Sequence, residues 1–412
     1  MQVVEICAGA GGQALGLELA GFDHALAVEI DSNAASTLRA NRDWDVAEGD
    51  VADTAVWNPD DYHGIDLLAG GVPCPPFSGA GKQLGATDER DLFAWAIEAA
   101  GRMQPRALIL ENVKGLSMAR FAAYRQHVLD RLNAFGYWAD WRLLHAADFG
   151  VAQLRPRFVL VALQPADAEY FHWPTPTVNT QTVGAILQDL MASNGWGGAE
   201  AWATRANNIA PTIVGGSKRH GGADLGPTRA KKAWSLLGVD AMGVADSAPT
   251  DDTPLNHSPR LTVEMVARIQ GWFGREYNWT FTGRKTSRYR QVGNAFPPPF
   301  ARAIGNSVMQ ALRHEGAIRT VDTARNLAVQ DPIYRKLIEH DGYTDEVELL
   351  GLVSGDQSRL ERQIRHLSLD FDIKSRKHRG RRQYRLDGFR GFIGQHDHAR
   401  HAAFAEQRKL IS

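Results

Sequence analysis

The first half of the chain alternates short apolar runs with segments that have helical spacing. The apolar runs predict five strands, at residues 3–6, 25–29, 65–69, 107–110 and 158–163. Apolar residues at helical intervals predict four helices between them, at residues 12–20, 32–41, 92–103 and 121–135. Such alternation is typical of βαβ units, in which helices cover both faces of a parallel sheet. We therefore predict an α/β fold.

The pattern changes in the second half. From about residue 174 to 259, Gly, Asn, Thr and Pro are frequent and two Gly-Gly pairs occur, which predicts a loop-rich insert. Helical spacing returns at residues 261–270 and 300–313, and the charged stretch 320–412 differs in composition. This divides the chain into four regions, residues 1–173, 174–259, 260–319 and 320–412.

Composition and cysteine content exclude several classes of protein. With 44% hydrophobic and 23% charged residues, the chain is neither collagenous nor mostly disordered. No apolar run approaches the ~20 residues of a membrane span, and no secretory signal opens the sequence, so we expect no membrane partner. Two cysteines, Cys7 and Cys74, can form neither a disulfide framework nor a four-thiolate zinc site. A cytoplasmic protein is expected.

Charge is unevenly distributed along the chain. Residues 1–150 contain 11 Lys/Arg and 21 Asp/Glu, whereas residues 151–412 contain 35 and 26. An acidic N-terminal part and a basic C-terminal part favour a catalytic half followed by a half that binds a polyanion such as nucleic acid.

The first predicted strand runs into a glycine turn, Cys7-Ala8-Gly9-Ala10-Gly11-Gly12, that opens a helix. Glycines allow a tight turn and a close approach of a ligand to the backbone. Two acidic residues, Glu29 and Asp50, are placed at the ends of following strands, where they suit an adenosine-type cofactor. The alternative is an ordinary tight turn, and the absence of GxGxxG counts against NAD.

Three further motifs follow predicted strands or precede one. Cys74 stands between prolines, which would hold a nucleophilic thiol in place, although a free cysteine is more often a small buried hydrophobe. Glu111 follows an apolar run, so it should face the ligand crevice that open α/β sheets have at the carboxyl ends of their strands. The alternative is that Glu111 caps the next helix. Arg155 and Arg157 could hold phosphate or carboxylate oxygens, or form a surface ion pair.

Together these motifs resemble the DNA (cytosine-5)-methyltransferase family of bacterial and phage type, and they stand in the family's order. The matching motifs are the glycine loop, Pro73-Cys74, Glu111-Asn112-Val113, the arginine motif 153–157, the helix 260–271 and the final motif 291–298. The resemblance spans residues 3–310. It implies a Rossmann-like methyltransferase sheet, with S-adenosylmethionine as cofactor and cytosine carbon 5 as the methyl acceptor.

The resemblance also implies roles for individual residues. The catalytic set is Cys74, Glu111, Arg155 and Arg157. The cofactor set is Ile6, Cys7, Ala8, Gly9, Gly11, Gly12, Glu29, Ile30, Asp50, Val51, Pro73, Leu92 and Asn294. Two departures matter: Cys7 replaces the family's usual Phe, which weakens packing on the adenine, and Pro75 follows the nucleophile where polar residues also occur.

Recognition of the DNA sequence would belong to the insert, and Ser78, in the loop that carries Cys74 (the nucleophile loop), would also contact double-stranded DNA. The stretch 212–220 combines glycine turns with hydroxyl and basic groups, which suits a loop in a DNA groove. The DNA-binding set is Ser78, Thr212, Lys218 and Arg219, and a flexible solvated loop is the alternative. We expect a monomer that is paired with a restriction endonuclease. An RNA (tRNA) methyltransferase, a dinucleotide-dependent oxidoreductase and a non-catalytic binding protein are the alternatives.

Residues 320–412 lie beyond the resemblance. Helical spacing at 332–340, 346–352 and 357–369, followed by short strands at 371–374 and 383–386 around a basic tip, predicts an α+β region like a winged helix in outline. We expect it to be an accessory DNA grip whose tip contacts about three to five phosphates; a solvated charged tail is the alternative. His396, His398 and His401 form an HxHxxH, which we interpret as part of a solvated tail, and we predict no metal site.

Overall fold

The computed structural model describes residues 1–72, 90–177, 181–216, 224–321 and 331–389. Within them, a seven-stranded sheet has the order β3-β2-β1-β4-β5-β7-β6. Its strands are β1 Gln2–Ile6, β2 Asp23–Glu29, β3 Val46–Glu48, β4 Leu67–Gly70, β5 Ala107–Val113, β6 Trp138–His145 and β7 Pro156–Leu163. The five predicted strands are confirmed, whereas β3 and β6, at the two edges of the sheet, were missed.

Helices cover both faces of this sheet. The first five are α1 Gly12–Leu19, α2 Ser32–Asn41, α3 Arg90–Met103, α4 Ala122–Ala134 and α5 Pro165–Ala168. They are followed by α6 Val183–Ala192, α7 Ala199–Arg205, α8 Thr228–Leu236, α9 Val263–Ile269, α10 Lys285–Asn294 and α11 Pro298–Leu312. Helices α3 and α4 pack on one face of the sheet, and α1 and α11 pack on the other. The doubly covered α/β architecture is therefore confirmed.

The sheet is parallel, as predicted, except near one edge. Strands β1 to β5 pair in parallel, but β7 is antiparallel to both β5 and β6. The ten residues between β6 and β7 include only a short 3₁₀ helix, Ala146–Phe149. Because a parallel pair needs a longer crossover connection, this short link brings the chain back antiparallel.

The insert is less irregular than its composition predicts. It contains α6, α7 and α8, and its described residues form no strand beyond isolated bridges. Three tryptophans of this region are buried in a core shared with residues 260–319, which we call the return segment; they are Trp196, Trp202 and Trp234. These large apolar side chains form a core, which the prediction of a loop-rich insert from its Gly and Pro content did not include.

The last described part, residues 331–389, is a separate small unit that we call the C-terminal module. Its elements are α12 Pro332–Glu339, β8 Thr344–Asp345, α13 Glu346–Gly351, α14 Gln357–Asp370, β9 Phe371–His378 and β10 Arg381–Phe389. The three strands are ordered β8-β10-β9 and pair antiparallel. This helix–strand–helix–helix–strand–strand order is that of a winged helix.

The β9–β10 hairpin is longer than predicted. Most of the expected tip at residues 375–382 is strand, and only Arg379 and Gly380 form the turn, with φ of 48° and 78°. Two consecutive positive φ angles are typical of the tight hairpin turns that match strand twist. The HxHxxH lies outside the described residues.

The C-terminal module packs on α4, in the first of the four regions. Ala123 joins the core of the module, and His127 stacks on Phe389 with ring centroids 4.2 Å apart. Tyr334 and Arg335 of α12 contact His127 and Asp130, respectively. Burial lowers the pKa of His127 to about 4, so this interface holds a neutral imidazole.

Candidate active site

The glycine turn joins β1 to α1 through a left-handed backbone. Gly11 has φ of 87°, and Cys7 also has a positive φ, 52°, which is uncommon for a residue with a side chain. A Cβ on Gly12 would lie 2.2 Å from the carbonyl oxygen of Phe296, so only glycine permits this approach of the return segment. Ile6 and Ala8, the neighbours of Cys7, are buried.

Glu29 braces this turn from the end of β2. Its Oε2 accepts a hydrogen bond from the Gly9 amide at 2.7 Å, and its Oε1 accepts one from the Asp31 amide at 2.7 Å. Burial raises the pKa of the Glu29 carboxyl, and the hydrogen bonds from Asp31 and Gly9 oppose that shift. The carboxylate therefore shapes the loop, a role that the sequence did not reveal.

The other residues predicted for the cofactor lie around the same edge of the sheet, with one exception. Ile30 is exposed, Val51 and Leu92 are buried, and Asp50 Oδ1 accepts from the Ala52 amide just past β3. Asn294 instead donates to the Gly216 carbonyl of the insert, at 3.2 Å. Pro73 lies outside the described residues.

Trp279 is a residue that the sequence analysis missed. Its Nε1 donates to the Ala10 carbonyl at 2.8 Å, and its ring would lie 2.6 Å from a Cβ on Gly11. It therefore closes one side of the glycine turn. No local signal could have identified it, because it lies in an irregular stretch between α9 and α10.

Glu111 and Arg157 form a buried ion pair, Arg157 Nε to Glu111 Oε1. In the antiparallel register Glu111 faces Val159 and Val113 faces Arg157, so the pair is diagonal on one face of the sheet. Burial lowers the pKa of Arg157, and Glu111 opposes that shift. Glu111 thus lies within β5 beside an arginine rather than capping a helix, and the surface ion pair suggested for the arginines is wrong because both are buried.

The glycine turn and the ion pair meet at residue 71. A Cβ on Gly71 would lie 3.4 Å from Glu111 Oε2 and 4.0 Å from the Cys7 carbonyl oxygen. Asn112 Nδ2 donates to the Val72 carbonyl at 3.3 Å, which ties the segment that leads to Cys74 to β5. Cys74 and Ser78 follow in the nucleophile loop and lie outside the described residues. The ends of β1, β4 and β5 therefore converge on one crevice.

Arg155 lies beside this pair but points elsewhere. Its guanidinium donates to the carbonyls of Ile213 at 3.0 Å, Gly293 at 3.1 Å and Ala295 at 2.7 Å. Burial, and secondarily Arg157, lower its pKa well below the usual value. Arg155 has φ of 24°, a strained angle that its three hydrogen bonds maintain. It joins the insert to the return segment.

Two buried glutamines complete this joint. Gln153 Nε2 donates to Gln270 Oε1, and Gln153 Oε1 accepts from the Ile213 amide at 2.8 Å. Gln270 donates to the carbonyls of Val292 and Ala295. Thr212, half-buried and next to Ile213, therefore lies at this joint. Lys218 and Arg219 lie outside the described residues.

The arrangement places a buried Glu–Arg ion pair beside the glycine turn, and Arg155 fastens the insert to the return segment next to that pair. A carboxylate and a guanidinium held in this way can form hydrogen bonds to a planar polar ring. No helix in the described ranges is long and apolar enough to cross a membrane.

Comparisons with known proteins agree with this geometry. Residues 1–310 match the model of the C-5 cytosine-specific DNA methylase family. The chain is 60% identical to the type II methyltransferase M.NaeI of Lentzea aerocolonigenes, with 100% of this chain and 99% of that protein covered. It is 49% identical to M.NgoMIV of Neisseria gonorrhoeae, with 76% and 98% covered.

A solved structure supports the fold. A chain from E. coli described as a DNA modification methyltransferase encoded within a prophage superimposes with a TM-score of 0.54, at 21% identity, over 76% of this chain and 99% of that one. These comparisons favour neither the oxidoreductase nor the RNA methyltransferase. The chain is a DNA cytosine-5-methyltransferase, and it belongs to the C-5 cytosine-specific DNA methylase family.

Proposed function

We propose that this enzyme methylates carbon 5 of a cytosine that has been flipped out of double-stranded DNA, through a covalent adduct with Cys74. The observation that carries the proposal is the buried ion pair between Glu111 and Arg157. It lies beside the glycine turn, and Gly71 separates Glu111 from the Cys7 carbonyl of that turn. A stacked base cannot reach a crevice of this kind, and extrusion of a base costs a few kcal/mol.

Cys74 supplies the nucleophile. Its thiolate forms a bond to carbon 6, and the electron pair of the 5,6 double bond moves to carbon 5, which then behaves as an enamine carbon. After methylation, loss of the carbon 5 proton restores the double bond and expels the thiolate. A cationic side chain nearby, such as Arg157, favours the thiolate over the thiol.

Glu111 holds the ring while charge develops on it. The exocyclic amine of cytosine donates to the Glu111 carboxyl group, and a proton held between that group and N3 offsets negative charge on the ring. Arg157 fixes the orientation of Glu111 through their ion pair. Arg155 is a positioning residue, because its hydrogen bonds go to backbone carbonyls.

S-adenosylmethionine supplies the methyl group when it is bound. The chain fits this cofactor: among the described residues, nothing lies within 4 Å of the position that a Cβ on Gly9 would take, which leaves space for a ligand beside the turn. Glu29 and Asp50 provide carboxylates for the ribose and the adenine. Cys7, where a ring is usual, offers less surface to the adenine.

The insert reads the sequence of the DNA from the same crevice. Thr212, on the segment held by Arg155, and the basic residues that follow it, Lys218 and Arg219, suit contacts to bases and phosphates. Ser78, in the nucleophile loop, suits a contact to the DNA beside the target base. The relatives M.NaeI and M.NgoMIV are type II methyltransferases, which supports a role in restriction–modification with a partner endonuclease. We expect a cytoplasmic monomer.

The test is methyl transfer from labelled S-adenosylmethionine to genomic DNA and to bulk tRNA, with bisulfite sequencing of the DNA product. We expect methylated cytosines in one short sequence context, and no label in tRNA. A Glu111→Gln variant is the matched control, since it retains the shape of the side chain. Label in tRNA alone, or methylation at adenine, would contradict the proposal.

A further inference from the structure

Charge is segregated within the C-terminal module. Residues 331–356 contain two Lys/Arg and seven Asp/Glu, whereas residues 357–389 contain ten and four. The basic half consists of α14 and the β9–β10 hairpin. The family match ends at residue 310, so this module is an addition to the methylase core.

Helix α14 presents arginines to solvent. Arg359, Arg362 and Arg365 are exposed at three-residue intervals, whereas Leu360 and Leu367 are buried in the module. Residues three apart lie close together on a helix surface, so the three guanidinium groups form one stripe. None of them forms an ion pair with an acidic side chain in the described part of the chain.

This stripe lies on the side of the sheet where the carboxyl ends of the parallel strands form the candidate active site. Helix α14 contacts the 3₁₀ turn Ala119–Phe121, which begins eight residues after Glu111. Burial lowers the pKa of His366, and the positive charges of Arg120, Arg362 and Arg365 lower it further. The three arginines therefore lie close to the His366 imidazole. Arg120 is exposed and extends the stripe from the module onto the methylase core.

The hairpin adds a second group of cations. Lys374 and Arg385, near its base, pair with Asp372 and Asp387. Lys377, Arg379 and Arg381, near its tip, are exposed, and no described carboxylate neutralises them. Unpaired cations on a helix and on an adjacent hairpin form an extended positive surface, which has the chemistry to bind a polyanion.

We propose that this surface, consisting of Arg120, the α14 stripe and the hairpin tip, grips the phosphates of duplex DNA beside the target site. The proposal rests on DNA as the substrate. Duplex DNA is favoured over other polyanions because it is already held at this edge of the sheet. The surface supplies salt-sensitive affinity, while the choice of sequence belongs to the insert.

The experiment measures binding of the full chain to a target duplex by fluorescence anisotropy over a series of KCl concentrations. Two triple variants remove the charge: Arg120→Gln with Arg362→Gln and Arg365→Gln, and Lys377→Gln with Arg379→Gln and Arg381→Gln. The matched control is Arg102→Gln with Arg131→Gln and Lys336→Gln. It removes three ion-paired cations, of which Arg102 is exposed and the other two are half-buried. Arg102 and Arg131 stand in the last turns of α3 and α4, away from the candidate active site. A set in which Arg120, Arg362 and Arg365 become lysine retains the charge.

Each charge-removing variant should flatten the plot of log K against log salt by about 3 units, at roughly 0.9 per phosphate. The loss should appear on a long duplex and vanish on one that barely extends past the target. The control and the lysine set should retain the wild-type slope. Single-turnover methylation of the short duplex should be unchanged in all of them.

Unchanged slopes in both charge-removing variants would overturn the grip, as would an equal flattening in the control. The surface would be reassigned to RNA if the wild type bound an RNA duplex at least as tightly as the DNA duplex and the same substitutions abolished that binding. Failure of the wild type to methylate any DNA would contradict the proposed function, and the salt slopes would still test the grip.

Discussion

Replacing Arg155 with Met distinguishes the two arginines, which the family resemblance placed together in the catalytic set. Arg155 donates to three backbone carbonyls that belong to the insert and to the return segment. Methionine has a similar length but no donor, so the substitution removes these hydrogen bonds without placing a new charge in the interior.

The magnitude follows from which carbonyls lose their partner. The Ala295 oxygen retains Gln270 Nε2 at 2.9 Å, so two oxygens, those of Ile213 and Gly293, are left without the guanidinium. A buried polar group without a partner costs about 1–3 kcal/mol, which predicts a loss of about 2–6 kcal/mol in the free energy of unfolding. The joint between insert and core should loosen first.

The assay is urea unfolding followed by tryptophan fluorescence, with hydrogen exchange at the Ile213 amide, which Gln153 otherwise protects. Arg157→Met is the matched control, because it breaks the ion pair with Glu111 and leaves the joint intact. We expect Arg155→Met to raise KM for DNA and to retain kcat within about tenfold. Arg157→Met should lower kcat by about 10²-fold or more.

Wild-type stability and slow exchange at the Ile213 amide in Arg155→Met, together with a kcat as low as that of Arg157→Met, would contradict this structural role. Arg155 would then act on the reacting base rather than through the joint.

Three further outcomes are expected. Cys74→Ala should abolish methylation, while its affinities for DNA and for the cofactor stay within about tenfold of the wild-type values. The wild-type enzyme should form a covalent adduct with DNA that contains 5-fluorocytosine. Turnover by Cys74→Ala would contradict the mechanism. Glu29→Ala should weaken binding of S-adenosylhomocysteine by about 1–3 kcal/mol in calorimetry, since the Gly9 amide loses its acceptor, and tight NAD binding by the wild type would contradict the cofactor assignment. His127 has a pKa of about 4 when folded and an ordinary value near 6.5 when unfolded, so protons bind the unfolded chain first as pH falls between these values. Stability should fall by up to about 3 kcal/mol over that window, and His127→Phe should abolish that part of the pH dependence; an unchanged pH profile in the variant would show that His127 is not responsible.

Local patterns predicted much of the fold. The first α/β half, the hairpin and the three helices of the C-terminal module follow from hydrophobic periodicity and turn residues, which act over a few neighbours along the chain. The glycine turn, Glu111 and the arginine motif were also recognisable, because each stands next to an apolar strand.

Contacts between distant segments determined the rest. The direction of β7, the approach of Trp279 to the glycine turn and the docking of the module on α4 join residues far apart in the sequence. Periodicity records which face of an element is buried, but not what covers it. Arg155 and Arg157 stand two residues apart in one motif, yet one contacts Glu111 and the other binds three carbonyls from two other segments. Their division of roles depends on packing, because a guanidinium bonds whichever acceptors the folded chain brings to it.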